Sequence, residues 1–162
     1  MPLLFQYGSN CTAAPLNAPN RLNGHAEDLG RARTVEDFDV AFDVYSQTNG
    51  CAAADLVRFP GRKAWGVLYR ISNDDFETLK EIEGPRYEPK PVRVQSRAGE
   101  ELEATTFLVK SAHRRPDIAT SAAYVCWITY GLRDHGVPEE YIAHVIEVAV
   151  ETNQRAGAFA AE

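Results

Sequence analysis

The sequence predicts an α+β fold in which a mostly antiparallel, barrel-like sheet is interrupted by one helix and followed by C-terminal helices. Up to Ile71 the apolar residues recur in short alternating runs, which are typical of strands. The apolar period then changes once to that of a helix, and after two further strand-like runs the chain becomes helical. Because strands and helices do not alternate along the chain, a parallel βαβ sheet is not expected.

Five strands are predicted before the first helix. The first covers residues 3–7, and a turn rich in Asn, Pro and Ala follows over residues 8–18, with a short helical piece over residues 16–22. The other four strands cover residues 28–35, 38–45, 52–59 and 63–71. Residues 28–35 are expected to pair with residues 38–45. Residues 52–59 are expected to pair with residues 63–71 across the Pro60-Gly61 turn.

The first helix is predicted to begin at Ser72, which is a good N-cap residue, and to end at Gly84-Pro85. Phe76, Leu79 and Ile82 recur at helical spacing and are expected to form its buried face.

Two strands and two helices complete the predicted chain. The strands cover residues 90–96 and 102–110 and pair across a turn at Gly99. The helices cover residues 120–134 and 138–153, and Pro138 is well placed in the first turn of the second one.

Composition restricts the class of protein. The 162 residues are most simply one domain, and a net charge of −6 without a basic stripe argues against nucleic acid or an anionic membrane as partner. No apolar run approaches the roughly 18 residues that a membrane helix needs. Cys11, Cys51 and Cys126 lie far apart and are expected to be reduced, so we expect a cytoplasmic protein. The sequence leaves the oligomeric state open, a homodimer included.

Common catalytic and cofactor motifs are missing from the sequence. The four histidines have neither HxH nor HExxH spacing, and Ser9 is not in a GxSxG motif. Neither GxGxxG nor GxxxxGK[ST] occurs. We therefore expect no metal site and no nucleotide cofactor.

Two features remain as candidates for chemistry. The predicted first strand runs into Tyr7-Gly8-Ser9-Asn10, where successive N–H groups can form a nest for an anion or a polarised carbonyl. Gly8 permits the φ that this requires and the close approach of a ligand. The alternative is an ordinary turn. Glu83 shares the apolar face of the first helix, where desolvation would make it a better base. The alternative there is a solvated helix end, with Glu81 and Glu88 as reserve carboxylates.

Further runs join these two features into a wider pattern. Beyond residues 5–10 (FQYGSN), they are residues 37–42 (DFDVAF), 64–69 (AWGVLY), 79–87 (LKEIEGPRY) and 136–141 (GVPEEY), with Tyr124 and Gly131 between the last two. In order and spacing the chain resembles the γ-glutamylcyclotransferase-like family, which includes γ-glutamylcyclotransferase, γ-glutamylamine cyclotransferase and AIG2-like proteins. The resemblance extends from Leu4 to about Val148.

The resemblance implies a small mixed barrel with a cavity at one end, and cyclisation of a γ-glutamyl group to 5-oxoproline without a cofactor. It implies that Glu83 is the general acid/base, and that the loop from Leu4 to Ser9 cradles the γ-glutamyl group through its backbone. The full implied substrate-binding set is Leu4, Phe5, Gln6, Tyr7, Gly8, Ser9, Asn10, Tyr87 and Tyr124.

The leaving group stays open at this point. Gln6 stands where γ-glutamylcyclotransferase has a small residue, and only two residues separate Gly84 from Tyr87, as in the γ-glutamylamine and AIG2-like branches. Tyr124 instead resembles the γ-glutamylcyclotransferase branch. An amino acid, a lysine side-chain amine or another small amine would fit. Two other functions compete with cyclisation: a silent module that binds a small acidic metabolite, and an amide hydrolase that uses water.

Overall fold

Seven strands form two sheets in the computed structural model, which describes residues 2–11, 22 and 24–161. The strands are β1 (Leu3–Gln6), β2 (Glu27–Thr34), β3 (Phe38–Ser46), β4 (Cys51–Arg58), β5 (Trp65–Arg70), β6 (Tyr87–Ser96) and β7 (Glu101–Val109). Five of them close into a barrel in the order β1-β5-β2-β6-β7, and β3 and β4 form a separate two-stranded ribbon.

The barrel is mixed. Its neighbouring strands are antiparallel except at one seam, where β1 runs parallel to β7 and Leu4 lies opposite Thr105. At this seam the Thr106 hydroxyl donates to the Phe5 carbonyl at 2.8 Å. The predicted α+β class with a mostly antiparallel barrel is confirmed.

Two of the predicted strand pairings are wrong. β2 pairs with β5 and β6 rather than with β3, and β5 pairs with β1 and β2 rather than with β4. The ribbon pairs β3 with β4. Closing a barrel depends on contacts between segments that are distant in sequence, and a local apolar pattern does not encode them. The predicted hairpin of β6 and β7 is confirmed, with Gly99 in its turn at φ 88°.

Within the described residues, three α-helices pack on this scaffold: α1 (Asn73–Glu83), α2 (Ala122–Asp134) and α3 (Glu139–Ala161). As predicted, Ser72 caps α1, since its side chain accepts from the Asp75 N–H at 3.0 Å. The end of α1 at Gly84 is also confirmed, with φ at 80°. None of the described helices is both long and apolar enough to cross a bilayer.

The buried face of α1 differs in part from its prediction. Leu79 is fully buried and Phe76 stacks on Phe107 of β7 with ring centroids 5.8 Å apart. Ile82 is exposed, because it lies in the last turn, where α1 extends past the core to the edge of a cavity. Most of the predicted helical piece over residues 16–22 lies outside the described residues, as does the larger part of the turn before it.

Candidate active site

A cavity of about 330 Å³ opens at the end of β1. Its wall comprises residues 6–10, 45–49, 53–54, 82–83 and 85–87, together with Phe107 and Tyr124. The wall therefore combines the turn after β1, the β3–β4 ribbon, the end of α1 and the start of α2. Both candidate features, the Tyr7-Gly8-Ser9-Asn10 turn and Glu83, lie on it.

The turn after β1 is tightly held. A short 3-10 helix covers Ser9–Cys11, and the Gly8 carbonyl accepts from the Cys11 N–H at 3.0 Å. The hydroxyl of Tyr69 donates to the Asn10 carbonyl at 2.9 Å. Within the described part of the chain, no acceptor meets the N–H groups of Gly8, Ser9 and Asn10. The geometry thus leaves three backbone donors on the cavity wall, as a nest requires.

Gly8 is needed for space rather than for its backbone angle. It is not among the glycines with positive φ, so the φ freedom that glycine offers is not needed here. A Cβ at this position would lie 3.3 Å from the Ala54 Cβ and 3.6 Å from the Tyr124 hydroxyl. The turn, β4 and α2 approach one another here because Gly8 has no side chain. The predicted close approach of a ligand stays a prediction.

Three tyrosines place their hydroxyl groups around the cavity. Tyr7 donates to the Phe107 carbonyl. The Tyr124 hydroxyl accepts from the Ala54 N–H at 2.9 Å, and the Tyr87 hydroxyl donates to the Ala54 carbonyl at 3.3 Å. Burial is the largest cause that raises the pKa of each of the three phenols. They therefore remain neutral at physiological pH and act as hydrogen-bonding groups.

Glu83 is the one carboxylate among the described residues of the wall. It is half-buried at the last position of α1, and Gly84 then turns the chain away. Glu83 and the three tyrosines line the same cavity, and the charge of Glu83 adds to burial in raising the pKa of each phenol. Glu81 is exposed and Glu88 lies 3.7 Å from Lys90, and neither reserve carboxylate lines the cavity.

Leu4 and Phe5 do not line the cavity, in contrast to the set implied by the resemblance. Both are fully buried within β1, where they lie opposite Tyr69 and Leu68 of β5. Their side chains pack into the core, so they support the turn from behind. The lining set begins at Gln6.

Gln6 lies on the cavity wall and carries an unsatisfied donor. The residue is 8% exposed, and its Nε2 is buried and meets no acceptor among the described residues. A buried amide without a partner costs about 1–3 kcal/mol. This amide would contact a ligand only after the side chain turned toward the cavity.

Sequence reasoning missed the part of the wall opposite the turn. Residues 45–49 come from the ribbon end, and Arg86 donates from the α1–β6 connection to the Tyr45 carbonyl. Arg86 is the one cationic side chain on the described wall, and among the described carboxylates none lies within ion-pair distance of it. These residue types carry no catalytic motif, so only their position in space identifies them.

A mixed barrel with an internal cavity, a glycine turn and one facing glutamate defines the class of small barrels with the γ-glutamylcyclotransferase fold. A solved structure named gamma-glutamyl cyclotransferase superposes on 89% of this chain and 85% of its own, with a TM-score of 0.78 and 24% identity. The AIG2-like family model matches residues 63–145. The chain belongs to the AIG2-like family.

Curated relatives extend the likeness to both ends of the chain. The mouse (Mus musculus) protein named gamma-glutamylcyclotransferase is 25% identical over 162 residues, which cover 96% of this chain and 81% of the relative. The human (Homo sapiens) protein of that name is 28% identical with the same coverage. These relatives place the chain near the γ-glutamylcyclotransferases.

Proposed function

We propose that the protein is a γ-glutamylcyclotransferase-type enzyme, which converts a γ-glutamyl amino acid or amine to 5-oxoproline and a free amine. The observation that carries the proposal is the position of Glu83, the one carboxylate on the described cavity wall, beside the glycine turn after β1. A module that only binds an anionic ligand gains nothing from a carboxylate there. The names of the mouse and human relatives support the same reaction.

The reaction requires one proton carrier and no protein nucleophile. Glu83 removes a proton from the substrate's α-ammonium group, and the free amine attacks its own γ-carbonyl carbon. The new C–N bond closes a five-membered ring, and the bond between the γ-carbon and the leaving nitrogen breaks. Glu83 gives the first proton to that nitrogen and then carries the second proton lost by the attacking nitrogen to it, so the ring keeps one N–H, the amine leaves as an ammonium ion, and protons and electrons balance. Holding the amine against the carbonyl supplies about 7–11 kcal/mol of the barrier reduction.

The donors of the turn suit the charges of such a substrate. The N–H groups of Gly8, Ser9 and Asn10 can stabilise the α-carboxylate and the tetrahedral oxyanion. Because its pKa is raised, the Tyr124 phenol stays neutral and does not repel an anion bound at the turn. The turn thereby holds the substrate while Glu83 transfers the proton.

Product identification tests the proposal. The purified protein is incubated with γ-glutamyl-alanine, γ-glutamyl-ε-lysine and glutathione, and the products are measured by mass spectrometry. We expect 5-oxoproline and the free amine from at least one of the first two substrates. Release of free glutamate would instead identify a hydrolase, and the absence of any product would favour the silent binding module.

Arg86 selects the leaving group in this proposal. Its guanidinium has five N–H donors and one contact to the Tyr45 carbonyl, and Arg86 lines the same cavity as Glu83. A carboxylate on the leaving amine would pair with it, and hydrogen bonds to charged groups contribute about 1.5–3 kcal/mol. The preferred leaving group is therefore an amino acid rather than an uncharged amine.

A matched substrate pair checks the role of Arg86. We expect kcat/KM for γ-glutamyl-alanine to exceed that for γ-glutamyl-alaninamide by roughly 10–100-fold. Arg86→Gln should bring the ratio close to one while turnover of the amide is kept. Arg97→Gln, which removes an exposed charge away from this cavity, should leave the ratio unchanged. Equal losses on both substrates in Arg86→Gln would show that Arg86 only supports the ribbon.

A further inference from the structure

Two buried aspartates of the ribbon meet behind the cavity wall. Asp55 of β4 is fully buried, and its carboxylate accepts from the Val109 N–H at 3.0 Å and from the Arg114 Nε at 3.3 Å. Asp43 of β3 is 8% exposed, and its Oδ2 lies 3.8 Å from the same Nε. The Asp43 Oδ1 is buried and meets no hydrogen-bond partner among the described residues. Because both carboxylates lie near the same Arg114 Nε, protonation of one of them would allow a hydrogen bond between the two. Neither residue lines the cavity.

A β-bulge brings Asp43 to this position. Phe42 lies opposite Ala54 and Val44 lies opposite Ala53, so Asp43 is an extra residue in the pairing of β3 with β4. A bulge changes the direction of the side chain it carries and often occurs beside active sites. Here it lies directly opposite the two alanines that line the cavity.

The residue next to Asp55 connects this cluster to the site. The Ala54 N–H donates to the Tyr124 hydroxyl at 2.9 Å, and the Ala54 carbonyl accepts from the Tyr87 hydroxyl at 3.3 Å. Asp55 in turn fastens β4 to Val109 at the end of β7. The position of β4 relative to the barrel thus determines where the hydroxyl groups of Tyr124 and Tyr87 lie.

We propose that the cluster of Asp43, Asp55 and Arg114 is a positioning element for the reaction, which holds β4 against β7 so that Ala54 orients Tyr124 and Tyr87 toward the substrate. The inference rests on the proposed function, because substrate binding by the two tyrosines belongs to it. An ion pair that merely stabilised the ribbon would have no specific effect on substrate affinity. Substrate affinity therefore distinguishes a positioning role of the cluster from a purely stabilising one.

A shared proton keeps the two aspartates together. Burial, followed by the negative charge of Asp55, raises the pKa of Asp43 to about 7, and Arg114 and Arg155 oppose this rise. Burial also raises the pKa of Asp55, against the hydrogen bond from Val109 and the charge of Arg114. Tyr7 and Tyr87, on the barrel, stay neutral because burial, with a smaller contribution from the charge of Asp55, raises their pKa values.

The positioning role is tested with Asp43→Ala and Asp43→Asn, each in the natural sequence and combined with Tyr124→Phe. The asparagine amide can donate to Asp55 as the protonated carboxyl does, whereas alanine cannot. We expect Asp43→Ala to raise KM roughly tenfold with little change in kcat, because one hydrogen bond is lost. Asp43→Asn replaces that hydrogen bond, so its KM should lie within about twofold of the natural value.

The Tyr124→Phe background separates positioning from general stability. If the cluster acts through the tyrosines, Asp43→Ala should raise KM much less once the Tyr124 hydroxyl is absent, because coupled residues are not additive. Fully additive effects, or a failure of asparagine to restore KM, would overturn the proposal. A natural-sequence protein that forms no 5-oxoproline would refute the proposed function instead, and the thermal test below would still examine the cluster.

Thermal unfolding as a function of pH tests the shared proton without turnover. Folded Asp43 keeps its proton up to about pH 7, whereas the unfolded chain releases it near pH 4. The unfolded state therefore binds fewer protons between these values, and stability falls as the pH rises through this window. Asparagine has no such proton to release, so Asp43→Asn does not lose stability in this way. The Tm of Asp43→Asn relative to that of the natural sequence should therefore rise by several degrees from pH 5 to pH 8. A constant difference would contradict the shared proton.

Discussion

Glu83→Gln is expected to lower kcat by about 10²–10⁴-fold, which is the usual contribution of a general acid/base. Glutamine has the shape and hydrogen-bonding reach of glutamate but cannot take up the α-ammonium proton. Leu79 and the Phe76–Phe107 stack hold α1 in place independently of residue 83, so the fold and ligand binding should persist. Single-turnover formation of 5-oxoproline and a thermal melt measure the two expectations separately.

Glu81→Gln is the matched control for this variant. Glu81 lies on the same helix, is exposed, and does not line the cavity. The control makes the same change of charge two positions away and should leave kcat within about twofold, since surface substitutions have small effects. A near-natural rate in Glu83→Gln would refute its role as the proton carrier and would direct attention to a carboxylate of the substrate itself.

Gly66→Ala is expected to destabilise the protein by about 3 kcal/mol or more, which is at or above the upper end of the usual cost of overpacking. Gly66 is part of β5, where a Cβ would lie 2.2 Å from the Gln6 carbonyl oxygen and 2.8 Å from the Phe5 Cε2. The first of these atoms belongs to the backbone and cannot rotate away. β1 would have to move, and the turn that it carries would move with it.

Gly157→Ala provides the control for a glycine substitution. Gly157 lies in α3, and a Cβ there meets nothing within 4 Å. Alanine is the better helix former by about 1 kcal/mol, so this variant should be neutral or slightly stabilised. Urea unfolding of both variants gives the comparison, and a Gly66→Ala midpoint equal to that of the natural sequence would show that β1 can shift without loss.

Local patterns were sufficient for the elements of this fold. The cap at Ser72, the end of α1 at Gly84 and the hairpin at Gly99 depend on interactions within a few residues, and each is where the sequence indicates. The strand partners are not local. β2 lies beside β5 and β6 because the barrel closes through contacts across the whole chain.

The candidate site divides in the same way. Glu83 and the turn after β1 were visible as patterns, because a carboxylate on an apolar helix face and a strand ending in glycine are unusual locally. Arg86 and the Asp43–Asp55 pair were not visible, because charged residues on a connection or a strand are ordinary until their neighbours are known. The one-domain organisation, the cytoplasmic location and the absence of a cofactor stay predictions.

The amino-acid order alone was enough to specify the class of fold, the start and end of α1 and the place of Glu83 on its apolar face. Each of these follows from hydrophobic periodicity and capping, which act over less than two helical turns. Only the folded chain decides that Glu83 lines one cavity with three neutral tyrosines, that Leu4 and Phe5 lie outside its wall, and that Asp43 is the extra residue of a bulge beside Ala53 and Ala54. Burial and electrostatic coupling depend on distances in space, which barrel closure sets between residues far apart in sequence.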